Sequence, residues 1–376
     1  MFDFDRIIDR NGTGSLKWDR YAGRDVLPLW VADMDFSAPP AVIAALQQRV
    51  GHGVYGYTHV SDELVEVILA RLWDRYKWQV KAESLVWLPG LVVGLNVACR
   101  AVGGRGSEVM TMTPIYPPFL SAPGLSERTL VTIPMVQEGA QWLIDFDAME
   151  AAVTPAARLL LLCSPQNPTG RVFTRRELEQ LADFCQRHNL VLCSDEIHCD
   201  LVLEPGIEHI PTASLDADVA ARTITLMAPS KTFNLPGLNC AFAIIPDAGL
   251  RGRFQRAMAG IVPYVNLLGY VGALAAYRDS GDWHAALLDY LRGNRDLILD
   301  AVADMPGINA TRGEATYLTW IDARGTGIDD PAKFFEKAGV GLSDGREFGL
   351  PGFVRLNFGC PRAVLQQALE RMRKAL

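Results

Sequence analysis

Four short apolar runs constrain this chain more than any other feature. They are ARLLLLC at 157–163, LVLCS at 190–194, TITLMA at 223–228 and AFAII at 241–245. Continuous apolar runs of this length mark strands buried on both faces, whereas half-wet strands alternate. Between the first two lies the turn cluster SPQNPTG, followed by a helix pattern. Thr174 opens that helix, with Glu177 three residues on forming a capping box. Leu178, Leu181, Ala182 and Cys185 then recur at helical spacing and give it one apolar face. Strands alternating with helices predict an α/β fold, a mostly parallel sheet covered by helices.

That topology has a consequence for function. Right-handed crossovers place the carboxyl ends of parallel strands on one edge, and open α/β sheets bind ligands there. The residues just beyond the first three runs include Asn167, Asp195 and Lys231. They are far apart in sequence, and the topology brings them together.

The chain has 376 residues, enough for about two domains. At 49% hydrophobic and 21% charged residues it is ordinary globular material. The C-terminal third changes character. A helical pattern runs from about 284 to 305, short strands follow at 316–321 and 353–358, and Pro361 opens a last helix. This reads as a smaller α+β domain. The first 45 or so residues are too few to fold alone and are expected to pack with it. The expected division is a large domain over 46–275 and a discontinuous small domain over 1–45 and 276–376.

Several function classes are set aside. A net charge of -7, from 36 basic and 43 acidic residues, leaves no electrostatic footprint for nucleic acid. The opening MFDFDRIIDR lacks the basic-then-apolar layout of an export signal. The most apolar stretch, Leu85 to Cys99, is broken by Pro89, Gly90, Gly94 and Asn96 and is too short to span a bilayer. Seven cysteines without C-x-x-C spacing argue against a disulfide framework or structural zinc and fit a reducing cytoplasm. Cys193, His198, Cys199 and Asp200 match no zinc spacing, so no metal is expected. Gly103, Gly104 and Gly106 do not form G-x-G-x-x-G and precede a strand, which excludes a dinucleotide fingerprint there.

The remaining candidates each have two readings. Lys231, in APSKTFN, could be a surface lysine. After a buried strand at the ligand edge, desolvation would favour the neutral amine that a Schiff base needs. Asp195 could pair with an arginine or cap a helix, or hold a proton on a heteroaromatic nitrogen such as that of pyridoxal phosphate. Asn167 belongs to an Asn-Pro turn and could also donate to a phenolate oxygen. Gly90 precedes an apolar helix and would let backbone N–H groups approach a phosphate. Arg355, inside the run FVRLNF, needs an anionic partner, either a structural carboxylate or that of a substrate.

Taken together, the chain resembles fold-type I pyridoxal-phosphate enzymes, the aspartate aminotransferase superfamily. The motifs are NPTG at 167–170, SDEIH at 194–198, SKTFN at 230–234 and RLNFG at 355–359, and their order covers nearly the whole chain. A narrower resemblance is to the MalY/PatB-type cystathionine β-lyases, or cysteine C–S lyases. It rests on LWVADMDF at 29–36, GYT at 56–58, PIYPPF at 114–119, DEIH and APSKTFN. Typical aminotransferases carry Tyr where this chain has His198, and commonly Arg where it has Asn239, so one cationic phosphate contact is missing.

The resemblance implies a role for each residue. Lys231 would bind pyridoxal 5′-phosphate as a Schiff base and move the α-proton. Asp195 would pair with the pyridine nitrogen, Asn167 with the ring oxygen and substrate, and Tyr116 would stack on the ring. Gly90, Leu91 and Ser230 would bind the phosphate, and Tyr57 would reach the phosphate of a neighbouring subunit in a homodimer. His198 would lie near the ring, taking up the hydrogen bond that Tyr makes elsewhere. Arg355 would clamp the substrate carboxylate, with Ala32 and Asp33 lining the pocket. The implied reaction is β-elimination from an L-cysteine S-conjugate, giving a thiol, pyruvate and ammonia. Amino transfer to a 2-oxo acid is the alternative, because both reactions begin alike. A non-catalytic, partner-binding role is a third.

Overall fold

A computed structural model describes residues 2–139 and 141–376. Its centre is a seven-stranded sheet. In chain order the strands are β1 (Leu85–Leu88), β2 (Glu108–Thr113), β3 (Thr129–Pro134), β4 (Ala157–Cys163), β5 (Val191–Asp195), β6 (Thr223–Met227) and β7 (Ala241–Ile244). Their spatial order is β1-β7-β6-β5-β4-β2-β3. All four expected runs are strands. Six strands point one way, and β7 lies antiparallel to both its neighbours. A parallel return needs a crossover, usually a helix. The segment between β6 and β7 holds only the short 3-10 turn Pro236–Leu238, so the chain doubles back.

The apolar runs do not alternate because each face of the sheet has its own core. Leu159 and Leu161 of β4 pack in a cluster with Leu95 and Ala98 of helix α1 (Leu91–Ala101). Leu160 and Leu162 point the other way, against Leu178, Leu181 and Phe184 of helix α2 (Arg175–Arg187). The capping box on α2 is formed, with Thr174 and Glu177 each accepting from the other's backbone N–H.

Beyond β7 come helix α3 (Gly281–Ala303), a four-stranded antiparallel sheet and helix α4 (Arg362–Ala375). The small sheet comprises β8 (Asn309–Ala310), β9 (Leu318–Asp322), β10 (Ser343–Asp344) and β11 (Phe353–Asn357), in the order β8-β9-β11-β10. Strand β9 starts two residues later than the apolar pattern predicts. Thr316 has φ +72°, which a strand cannot contain. Pro361 sits just before α4 rather than at its first position. Phe4, Leu29 and Met34 share one core with Leu287, Leu291, Leu365 and Leu369, so the first residues pack on the last third. Among the described residues, no helix is long and apolar enough to cross a membrane.

Candidate active site at the carboxyl edge of the sheet

Strands β4, β5 and β6 deliver Asn167, Asp195 and Lys231 to one cavity of about 460 Å³. Ala32, Gly90, Leu91 and Tyr116 line it too, as do His198 and Ser230. Arg355 adjoins it, its Nη1 donating to Asn167 Oδ1 at 3.0 Å. Asp33 is not among the lining residues and is held by Arg10 at 2.7 Å. Tyr57 lies elsewhere on this chain, fully exposed beside Tyr264.

Lys231 follows β6 in a tight turn, and its Nζ donates to the carbonyl of Ala32 at 2.6 Å. Burial, with Arg355 near, lowers its amine to about 8, against the pull of Asp33 and Asp195. Burial also pushes the Asp195 carboxyl up to about 7, against a hydrogen bond from the Ile197 N–H and the charge of Lys231. Among the described residues Asp195 forms no ion pair, so the structural reading of an arginine partner does not hold. His198 is buried and pulled down to about 3, first by burial and then by Lys231 and Arg355. Its imidazole is therefore neutral, and its Nδ1 has no hydrogen-bond partner among the described residues. Burial lowers the Arg355 guanidinium to about 10. Arg355 bonds Asn167, the Trp30 carbonyl at 2.7 Å and Ser343 Oγ at 3.2 Å, with no carboxylate partner among the described residues. Its Nε is buried and unpartnered.

These residues fit a pyridoxal phosphate. Gly90 caps α1 without a side-chain hydrogen bond, so among the described residues no side chain claims the first N–H groups of this 11-residue helix, which borders the cavity. A Cβ built on Gly90 meets nothing within 4 Å. Arg355 takes the Asn167 Oδ1, which leaves Nδ2 as the end able to donate. Asn239, where an arginine would bring charge, lines the cavity at φ +51°, a conformation Asn tolerates.

Sequence reasoning missed the residues that hold the wall in place. Asn357 donates to the carbonyls of Val31 and Asp33 at 2.6 and 2.7 Å. Asn234 donates to those of Met34 and Phe36 and accepts from the Met34 N–H. Both asparagines belong to motifs already quoted, SKTFN and RLNFG, and that was the available signal. Gln166 pins the NPTG loop, donating to the Pro114 carbonyl at 2.6 Å and accepting from the Thr169 N–H at 3.0 Å. Behind Asp195, buried Glu196 accepts from Ser194 Oγ and the Thr212 N–H and pairs with His209 Nε2 at 2.8 Å. Asp200 would be raised by burial, yet Arg71 and Arg75 hold it down to about 2. No motif announced Tyr317, whose hydroxyl reaches the same Ala32 carbonyl as Lys231.

A mostly parallel sheet with this edge, backed by a small sheet carrying Arg355, defines the aminotransferase-like class of fold-type I enzymes. The chain belongs to the family Aminotransferase class I and II, which matches residues 24–372. It is 35% identical to cystathionine beta-lyase PatB of Bacillus subtilis, over 100% of both chains. A crystal structure of OvoB superposes with a TM-score of 0.98 at 51% identity, covering 100% of this chain and 99% of that one. The PLP-bound C–S lyase from Staphylococcus hominis superposes at 0.94 with 33% identity, covering 100% and 98%.

Proposed function

We propose that this chain is a pyridoxal 5′-phosphate-dependent carbon–sulfur lyase of the cystathionine β-lyase type. Its substrate is an L-amino acid bearing sulfur on the β-carbon, and its products are a thiol, pyruvate and ammonia. The observation that carries the reading is one cavity holding a partly buried lysine whose amine is lowered to about 8, beside a buried arginine with no carboxylate partner among the described residues. The full-length likeness to enzymes named cystathionine beta-lyase and C–S lyase supports elimination over amino transfer.

Lys231 would hold the cofactor through its Nζ, and the same neutral Nζ is the group placed to take the substrate's α-proton. When bound, the pyridoxal ring supplies an electron sink for the charge left at the α-carbon. Asp195 would hold the ring nitrogen's proton, and Asn167 Nδ2 would donate to the ring oxygen. His198 would offer its unpartnered nitrogen to the ring, and Tyr116 would cover a face of it. The N–H groups after Gly90, with Leu91 and Ser230, would bind the phosphate. Arg355 takes the substrate α-carboxylate in a two-pronged grip and fixes which Cα bond meets Lys231. Ala32 closes the substrate side, with Asp33 held beside it by Arg10. The carbon–sulfur bond breaks with its electrons leaving on the thiolate. The three-carbon remainder takes up water to become pyruvate and ammonia.

Tyr57 completes the phosphate site of a second copy. Tyr55, Tyr57, Ile261 and Tyr264 form an exposed apolar surface that supports a homodimer. The shared core of the two chain ends supports a small domain of 1–45 and 276–376 on a large domain of 46–275. Seven buried thiols without disulfides fit a reducing cytoplasm. The test is spectroscopic. Wild-type protein with added cofactor acquires a visible absorption that Lys231→Ala lacks. Equal absorption in the two would refute the assignment of Lys231.

A further inference from the structure

The carbonyl oxygen of Ala32 accepts two hydrogen bonds, from Lys231 Nζ at 2.6 Å and from Tyr317 Oη at 3.0 Å. Tyr317 is 1% exposed, and among the described residues this is its hydroxyl's one hydrogen bond. Burial raises the phenol far above its ordinary value, so it stays protonated and donates here.

The backbone is strained to put it there. Thr316, the residue before it, has φ +72°, a genuine outlier for a β-branched side chain. The turn is tied down around it. Thr316 N–H donates to the Leu201 carbonyl, the Glu314 and Ala315 N–H groups to that of Gly170, and the Phe358 N–H to that of Tyr317. Such strain persists only where surroundings enforce it, and it gathers at functional sites.

The neighbouring carbonyls set Ala32 apart. Those of Trp30, Val31, Asp33, Met34 and Phe36 are served by Arg355, Asn357 and Asn234, none of which carries the cofactor in the proposed function. Of the two donors on Ala32, Lys231 must leave to carry the cofactor and Tyr317 remains.

We propose that Tyr317 is a positioning residue that keeps the Ala32 carbonyl hydrogen-bonded when Lys231 leaves it, and so sets how readily Lys231 passes to the cofactor. The proposal rests on the role assigned to Lys231 above. Without the phenol, the carbonyl is an unpaired buried acceptor whenever the lysine is on the cofactor. The amine is then drawn back to it, and its protonated form most strongly, being the better donor. The other groups facing Lys231 are Arg355, which favours the neutral amine, and Asp33 and Asp195, which favour the charged one, with His198 neutral beside them.

The test follows the visible absorption of the lysine-bound cofactor across pH and cofactor concentration, in wild type and Tyr317→Phe. Loss of one neutral hydrogen bond is expected to raise the apparent Kd for pyridoxal 5′-phosphate about three- to tenfold at neutral pH. The pH below which the linkage is lost moves upward, and kcat falls while KM for the amino-acid substrate holds. A 3-fluorotyrosine at position 317, a stronger donor, moves that pH the other way. An unchanged Kd and pH profile in folded Tyr317→Phe would overturn the proposal. Should that variant not fold, a fluorotyrosine enzyme with the wild-type profile overturns it instead. A wild-type protein with no such absorption would overturn the reading of Lys231 itself.

Discussion

Arg355 and Asn167 stand 188 positions apart in the chain and share a hydrogen bond of 3.0 Å. It ties strand β11 of the small sheet to the loop after β4 of the large one. It also orients the amide and leaves the guanidinium with an unpartnered Nε. In the proposed function, one linked pair would thus read both the substrate carboxylate and the cofactor ring.

Arg355→Lys keeps the charge and loses the planar fork. A hydrogen bond to a charged group contributes about 1.5–3 kcal/mol, so kcat/KM is expected to fall about 10- to 100-fold. Cofactor absorption should stay as in wild type. Steady-state kinetics beside a spectrum checks both, and an unchanged kcat/KM would show that another group holds the carboxylate.

Asp195 makes stability and function oppose each other. Burial raises its carboxyl from 3.8 to about 7, so the folded cofactor-free protein keeps a proton that the unfolded chain has lost. Its contribution to stability therefore declines as pH rises from about 4 to about 7. Cofactor-free Asp195→Asn should be more stable than wild type at about pH 8, by about 1–3 kcal/mol. Near pH 4 the gain should vanish, and the variant should lose most activity. Denaturant melts at the two pH values test the sign.

Gly90→Ala places a methyl in open space at the start of α1. Its φ of 173° is extended backbone that any residue adopts. The cofactor-free protein should therefore melt at the wild-type temperature or slightly above, by about 0.4–1 kcal/mol of stability. Cofactor affinity should fall if the phosphate sits on the helix N–H groups as proposed, because the methyl would stand in its way. Calorimetry and a cofactor titration separate the two effects.

The exposed surface around Tyr57 and Tyr264 leads to an assembly prediction. Sedimentation should find twice the chain mass, and Tyr264→Asp should shift it toward the monomer with loss of cofactor affinity. A wild-type monomer that still binds cofactor tightly would separate Tyr57 from the phosphate site.

The sheet and its reactive edge were legible because parallel strands buried on both faces leave unbroken apolar runs. The positions of Asn167, Asp195 and Lys231 followed from topology. Strand β1 was hidden, since its run continues into helix α1 with only Pro89 and Gly90 between. Strand β3 was hidden for the opposite reason: it is an edge strand, largely exposed, with no apolar run. The direction of β7 leaves no trace in periodicity. Ala32 was expected in the pocket, but its carbonyl's role as an acceptor carries no residue signature; Tyr317 escaped because no motif marks it, and the strained turn at Thr316 is a property of φ alone.

The central claim is tested most directly by incubating the cofactor-loaded enzyme with L-cystathionine and no 2-oxo acid, and assaying thiol, pyruvate and ammonia. A carbon–sulfur lyase releases the three in equal amounts over many turnovers. Absence of all three, with amino transfer appearing once a 2-oxo acid is added, would contradict it.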